Sequence, residues 1–317
     1  MSTDILRLAD QWVVQKSPTT GTVIATSART TADLLADRDA IAAAVAAAEA
    51  PLPAGDLASP VTAPCRVVAQ MTNFVSHIKD SGFNPETVPL TFFRKTSHSL
   101  SAADADIVKP AHVRFLDYEV EIGLVMGRDL PVGTHLTETD VADHVAALVI
   151  TNDVSARDLQ LPKTQFFESK SYPGFTPTGP RLVVLEPGEW ARFADLRLRL
   201  WVNGELRQDA VVGDDMLYRP LQALRGLTRF QPLAPGDLLL TGTPGGTALT
   251  APPKPVEIIG ALLPPATKWR AFFKAQAKNP LYLADGDVVE LHVGTDDGAL
   301  DLGRQRTVVR YAADEPR

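Results

Sequence analysis

The sequence predicts a strand-dominated α+β fold, with a large domain over 65–317 and a small N-terminal domain and linker over 1–64. Three observations support this. After residue 64, short apolar runs of strand length recur between Gly, Pro and Asp turns. Helical periodicity between those runs is sparse and brief, which argues against a regular βαβ alternation. An alanine-rich stretch is confined to the first fifty residues, and the segment 51–64 after it is rich in Pro, Ala and Ser.

The elements follow in order. Residues 5–24 read as a hairpin region whose turn is Pro18-Thr19-Thr20-Gly21. Over 31–50, Leu34, Leu35, Ile41 and Val45 recur at helical spacing, and Pro51 and Pro53 end that single helix. Strands are expected over 66–69, 116–126, 146–151, 181–185, 196–202, 237–241 and 287–293. Residues 249–284 interrupt the pattern with a proline-rich piece and then a helix over 267–277, and no internal repeat is visible.

The chain has 317 residues, 45% hydrophobic and 22% charged, the composition of an ordinary globular protein. A net charge of −7 argues against nucleic acid as a general partner but leaves room for a small anionic substrate at a local positive site. The single cysteine, Cys65, rules out an intrachain disulfide and any zinc site built on several cysteines. The first residues carry acids and lack the apolar core of a signal peptide, and no run approaches the ~20 apolar residues of a membrane span. A cytoplasmic protein with no membrane partner is the expectation.

The run 116–125 carries the most chemistry. Read with a period of two, Leu116, Tyr118, Val120, Ile122 and Leu124 form one face, and Asp117, Glu119 and Glu121 project from the other. Neighbouring carboxylates on one strand face repel, so a positive group should sit between them. A hard divalent cation would serve, as would salt bridges from a neighbouring strand or a solvated acidic row. Asp153, just past the apolar run 146–150, taken alone is an ordinary helix N-cap. Beside Glu119 and Glu121 it would complete a three-carboxylate oxygen site.

His77 and Asp80 lie three apart, on one face of a helix. They are either an exposed pair of charges or a carboxylate-oriented imidazole fit to act as a general base. Thr241-Gly242-Thr243-Pro244-Gly245-Gly246-Thr247 follows a strand and is either a plain turn or a loop offering N–H groups to an anion. It lacks the Gly-Lys-Ser/Thr ending of a nucleotide P-loop.

Taken together and in this order, Asn73-Phe-x-x-His77-x-x-Asp80, Asp117-Tyr-Glu119-x-Glu121-x-Gly123, Asn152-Asp153-Val-Ser-Ala-Arg157-Asp-x-Gln160, Lys170-Ser-Tyr172, Thr178-Gly-Pro180 and Thr241-Gly-Thr243-Pro-x-Gly246 resemble the fumarylacetoacetate hydrolase superfamily, in its bacterial acylpyruvate hydrolase and 2-oxo acid branch. The resemblance runs from about residue 65 to about residue 311. It implies a mixed β-sandwich roll, a homodimer, and Mg2+ (with Mn2+ or Ca2+ as alternatives) held by Glu119, Glu121 and Asp153. It also implies catalytic roles for Lys170 and for a His77–Asp80 dyad, and substrate contacts from Arg157, Gln160 and Thr243.

The activity so implied is a Mg-dependent hydrolase that cleaves a C–C bond in a 2,4-dioxo acid, an acylpyruvate or a fumarylacetoacetate-like substrate, through a metal-stabilised enolate in the catabolism of aromatic compounds. The alternatives are a decarboxylase, hydratase or tautomerase of a 2-oxo acid, or, from another class, a non-catalytic scaffold. Departures from the family pattern surround the substrate pocket more than the metal. Met71-Thr-Asn-Phe74 stands for Gly-x-Asn-Tyr, and Phe92-Phe-Arg94-Lys95 for Phe-x-Lys-Pro, so that either cation could fill the lysine role. Tyr172-Pro173 stands for Phe-Asp, and the segment 249–284 is longer than the usual loop. That segment, with Trp269, Phe272 and Phe273 on its helix, either simply packs there or covers the pocket or a dimer edge.

Overall fold

Val120, Ile122, Leu124 and Met126 alternate with Glu121, Gly123 and Val125, and every residue of the strand Val120–Met126 is buried. The even-numbered set belongs to the core between two sheets, whereas Val125 belongs to a second core on the far side. A strand covered on both faces must lie inside its sheet, and that is its position in the computed structural model, which describes residues 2–9, 11–164, 166–252 and 254–313.

Among the described residues the larger sheet has ten strands, in the order Ala50–Pro51, Thr20–Val23, Gln11–Gln15, Thr3–Leu8, Arg181–Val184, Val145–Asn152, Val120–Met126, Leu238–Leu240, Val67–Gln70 and Phe92–Lys95. Neighbours are antiparallel except Leu238–Leu240 against Val67–Gln70. A five-stranded sheet runs Glu205–Val211, Leu196–Val202, Val288–Thr295, Asp301–Tyr311 and Ile107–Lys109. Leu196, Leu198 and Leu200 alternate with Arg197, Arg199 and Trp201, so one face of this sheet is apolar and packs against the even-numbered face of Val120–Met126. Each such side chain, fully buried, contributes about 1.5–3 kcal/mol. The fold is therefore α+β and strand-dominated, a sandwich of two sheets with peripheral helices.

Residues 1–64, expected as a small domain and linker, supply four strands that continue the larger sheet through Thr3–Leu8 against Arg181–Val184. Ile5, Trp12 and Leu34 share one core with Val67, Val125 and Leu238. The expected helix over 31–50 is two helices, Thr31–Ala36 and Arg38–Ala46, because Asp37 ends the first and caps the second by accepting from Ala40 N at 3.3 Å.

The strand expected over 116–126 is also interrupted. Leu116–Asp117 pairs with Ser155–Ala156, and the main ladder resumes at Val120. The cause lies in two side chains that take backbone donors away from the ladder. Asp117 Oδ1 accepts from Tyr118 N at 2.9 Å, and Asn152 Oδ1 accepts from Glu119 N at 3.0 Å. Strands Glu205–Val211 and Asp301–Tyr311 were not expected, since their charged residues mask the apolar alternation. Among the described residues no helix is long and apolar enough to cross a membrane.

Candidate active site

Two polar stretches are zipped together where the acidic strand leaves its ladder. Asp153 N donates to Glu119 O at 2.9 Å, and the short Leu116–Asp117 and Ser155–Ala156 strands pair just beyond. This brings Glu119 and Asp153 side by side, while Glu121 projects from the regular ladder next to them. One carboxylate oxygen from each of the three lies within 4.8 Å of the others, and all three residues are buried. Glu121 Oε2 accepts from Gly242 N at 2.7 Å. Gly242 has φ +85°, and an added Cβ would stand 2.8 Å from Asn73 Cβ, so only glycine turns the chain here and delivers that N–H.

Three cations surround the carboxylates. Lys170 Nζ donates to Glu119 Oε2 and Asp153 Oδ2, both at 2.6 Å. Lys95 Nζ donates to Asp153 Oδ1, and to Phe175 O at 2.9 Å. Arg157 donates through Nε to Asp117 Oδ2 at 2.8 Å, through Nη2 to Glu119 Oε1 at 2.6 Å and through Nη1 to Gln160 Oε1 at 2.9 Å. Arg94, the other cation of its strand, is exposed, so Lys95 is the one that reaches the carboxylates.

The electrostatics follow from who pairs with whom. Burial alone would raise the Glu119 carboxyl, but Lys170 and then Arg157 outweigh it and hold Glu119 at about 2. Glu121 has no cationic side-chain partner among the described residues. Burial, then Asp153 and Glu119, push it well above the usual carboxylate range. Both lysines hold Asp153 but shift in opposite directions. Burial lowers Lys95, whereas for Lys170 the two carboxylates Asp153 and Glu119 overcome burial and raise it.

The donor set fits a hard divalent cation. Three buried carboxylate oxygens converge, and one of them, on Glu121, hydrogen-bonds only a backbone N–H among the described residues. Glu119, Glu121 and Asp153 would hold such an ion.

His77 stands on the helix Val75–Asp80, buried, with Nδ1 lacking a hydrogen-bond partner among the described residues. Burial lowers its pKa, against the pull of Glu119, and so disfavours the charged imidazole. The expected His77–Asp80 hydrogen bond is not made. Asp80 is the last residue of the helix, and its Oδ2 accepts from Gly246 N at 3.0 Å. Ser76 Oγ, one turn earlier on the same side, accepts from Gly245 N at 2.8 Å. The helix is thus fastened to the 241–247 loop by the face that carries Ser76 and Asp80.

Two expected substrate contacts are occupied within the protein. Arg157 spends its guanidinium on Asp117, Glu119 and Gln160, and Thr243 Oγ1 donates to Val120 O at 2.9 Å. Gln160 Oε1 accepts from Arg157, and its Nε2 has no acceptor among the described residues. Asp117, grouped with the two glutamates by alternation, serves a different purpose. It accepts from Arg157 and from the backbone N–H groups of Ala248 and Leu249 at 2.8 and 3.1 Å. The sequence marks it as acidic, but only the break in the strand separates it from the other two.

The segment 249–284 starts at the site. Leu249 N reaches Asp117, and Ala251 N donates to Asp80 O at 2.8 Å. Its helix Pro265–Gln276 lays Phe273 on Phe115, with ring centroids 5.6 Å apart, and Phe115 O accepts from Arg157 N. Of the aromatic stripe, Phe273 thus packs on the element that holds Arg157, while Trp269 and Phe272 stack with it along the helix.

The fumarylacetoacetate (FAA) hydrolase C-terminal family model matches residues 66–310. The oxaloacetate tautomerase FAHD2A, mitochondrial, of Homo sapiens is 32% identical over 197 residues, which are 62% of this chain and 60% of that protein. The chain thus spans well under two thirds of that relative's length. The crystal structure of a probable 2-hydroxyhepta-2,4-diene-1,7-dioate isomerase from Mycobacterium abscessus superposes with a TM-score of 0.75 at 27% identity, covering 99% of this chain and 100% of the other. Maleylpyruvate hydrolase from Sphingobium sp. SYK-6, solved with manganese(II) and pyruvate, shares the fold with a TM-score of 0.68 at 21% identity, over 98% and 100% of the two chains. The chain belongs to the fumarylacetoacetate hydrolase family.

Proposed function

We propose that this family member is a divalent-cation-dependent enzyme that moves a proton on the carbon beside the 2-oxo group of a small oxo acid, interconverting its keto and enol forms. The observation that carries the reading is one buried imidazole, His77, whose Nδ1 has no hydrogen-bond partner among the described residues and which lies within the electrostatic reach of Glu119, a member of the three convergent carboxylates. When bound, the cation would supply Lewis acidity toward the substrate's oxygens.

The chain's own groups do the rest. His77, whose Nδ1 has no partner among the described residues, takes the proton from carbon and returns one to the substrate. Lys170 and Lys95 pair with Asp153, Lys170 also holds Glu119, and Lys170 would offset charge that develops on the substrate's oxygen. Arg157 fixes Glu119 and holds the Gln160 oxygen, which leaves the Gln160 amide nitrogen, without an acceptor among the described residues, to meet the substrate. The kinship with an oxaloacetate tautomerase and with a probable isomerase supports proton transfer as the net reaction.

A second reading, hydrolytic cleavage of a C–C bond in a 2,4-dioxo acid, is favoured by the position of His77 and Asp80 one helical turn apart. It requires Asp80 to release Gly246 N–H and orient His77 for water activation. Purified protein assayed with oxaloacetate, acylpyruvates and unsaturated 2-oxo acids, with Mg2+ or Mn2+ and after chelation, separates the two. We expect metal-dependent keto–enol conversion. Release of pyruvate from an acylpyruvate at the faster rate would assign the hydrolytic reading, and turnover of none of these acids would overturn both.

A further inference from the structure

The five-stranded sheet sends one side chain to the metal-binding strand. Gln208, in the edge strand Glu205–Val211, is 1% exposed. A β-bulge puts it there. Leu200 pairs with Gln208 and Trp201 with Leu206, which leaves Arg207 as the extra residue. An unbulged ladder would set Arg207 opposite buried Leu200, whereas the bulge turns Gln208 inward.

Its amide joins two parts of the site. Oε1 accepts from Val120 N at 3.0 Å, between Glu119 and Glu121. Nε2 donates to Thr243 Oγ1 and to Pro244 O, both at 2.8 Å. Thr243 Oγ1 in turn donates to Val120 O at 2.9 Å, closing a buried ring of hydrogen bonds between strand and loop. Thr243 directly follows Gly242, whose N–H holds Glu121. The Thr243 hydroxyl has spent its proton on Val120 and accepts one from Gln208, while the backbone N–H of Thr243 has no acceptor among the described residues.

We propose that Gln208 is a positioning residue. It clamps the Gly242–Thr243 turn to the acidic strand, so that Thr243 meets a bound oxo acid through its backbone N–H while its hydroxyl serves the clamp. This rests on the proposed function for the kind of ligand, and its test reads binding rather than turnover.

Gln208→Glu keeps the shape and the acceptor for Val120 N but replaces the donor with a carboxylate oxygen facing Pro244 O. Thr243→Val removes the hydroxyl at constant shape, and Thr243→Ser keeps it. Mg2+ affinity, pyruvate affinity of the Mg2+-loaded protein and Tm are measured for each. We expect Gln208→Glu and Thr243→Val each to weaken pyruvate binding about tenfold, with Mg2+ affinity within about threefold and Thr243→Ser near wild type. The double variant should be no weaker than the worse single, since both break one clamp.

Losses that multiply would overturn the proposal, because the hydroxyl would then meet the ligand by itself. Mg2+ affinity falling in step with pyruvate affinity, or a drop in Tm that accounts for both, would reduce Gln208 to a structural role. If Gln208→Glu fails to fold, the Thr243 pair decides, and valine binding pyruvate as well as serine overturns the clamp. Wild-type protein that binds no pyruvate overturns it as well. Wild-type protein that binds pyruvate but turns over no oxo acid counts against the proposed reaction alone.

Discussion

Asp117 and Arg157 form an ion pair of 2.8 Å in the interior, with both side chains all but sealed from solvent. Arg157 then reaches Glu119 with its second nitrogen, so a residue outside the carboxylate triad sets the orientation of one of its members. Removing one partner of a buried pair leaves the other charge uncompensated. Asp117→Asn should therefore destabilise the protein by about 3–5 kcal/mol in denaturant unfolding and weaken divalent-cation binding through Glu119. Unchanged stability would mean that the backbone donors of Ala248 and Leu249 suffice to hold this corner.

Glu121→Gln should have the opposite effect on the metal-free fold. Its carboxylate has no hydrogen-bonded cationic side chain among the described residues, so the amide removes a carboxylate that burial disfavours while keeping an acceptor for Gly242 N. Divalent-cation binding, measured by calorimetry, should be lost, and the unfolding midpoint of the metal-free variant should equal or exceed that of the wild type. A variant that still binds Mg2+ with native affinity would remove Glu121 from the ligand set.

Lys95 and Arg94 are adjacent in one strand but not equivalent. Lys95→Met leaves buried Asp153 with Lys170 alone and should cost about 3–5 kcal/mol, whereas exposed Arg94→Met should stay within about 0.5 kcal/mol. Equal effects in chemical unfolding would contradict the assignment of Lys95 to the site.

His77→Ala should slow turnover by roughly 10²–10⁴-fold, the range for losing a positioned base. Asp80→Asn separates the two proposed chemistries. With Asp80 engaged on Gly246 N–H, keto–enol conversion should fall less than about tenfold, whereas hydrolysis through a dyad should fall as far as in the His77 variant.

Asp4 tests the junction of the N-terminal strand with the rest of the protein. Burial raises its pKa from 3.8 to about 6, and Arg181, 3.2 Å away, offsets this only in part because it is shared with Asp301. With a folded pKa above the unfolded one, the stabilisation is complete below the unfolded value and is lost as pH rises through about 6. Asp4→Asn should thus gain about 1–3 kcal/mol at pH 7, and the gain should vanish below pH ~4. Arg181 keeps Asp301 and Gln15 in the variant. A pH-independent difference would show that Asp4 titrates normally.

Local patterning decided much of this protein. Alternation made 120–126 and 196–202 strands, because a period of two buries one apolar row whatever the neighbours are, and an unbroken apolar run of strand length made 145–152 another. The motif order identified the family, and with it the residues to watch: Glu119, Glu121, Asp153, Lys170, Arg157 and His77. Composition could not show that residues 1–64 would extend the main sheet, since strand pairing between Thr3–Leu8 and Arg181–Val184 joins segments far apart in the chain. Nor could alternation separate Asp117 from Glu119 and Glu121. That required Asp117 to cap Tyr118 N and break the strand, a competition settled only when Arg157 and the 248–249 backbone are present to hold its carboxylate. The choice of Lys95 over Arg94, the turning of Asp80 toward Gly246, and the inward face of Gln208 have the same origin. Each depends on which charge or hydrogen-bonding group a distant segment brings within 3 Å, and spacing along one chain carries no record of that.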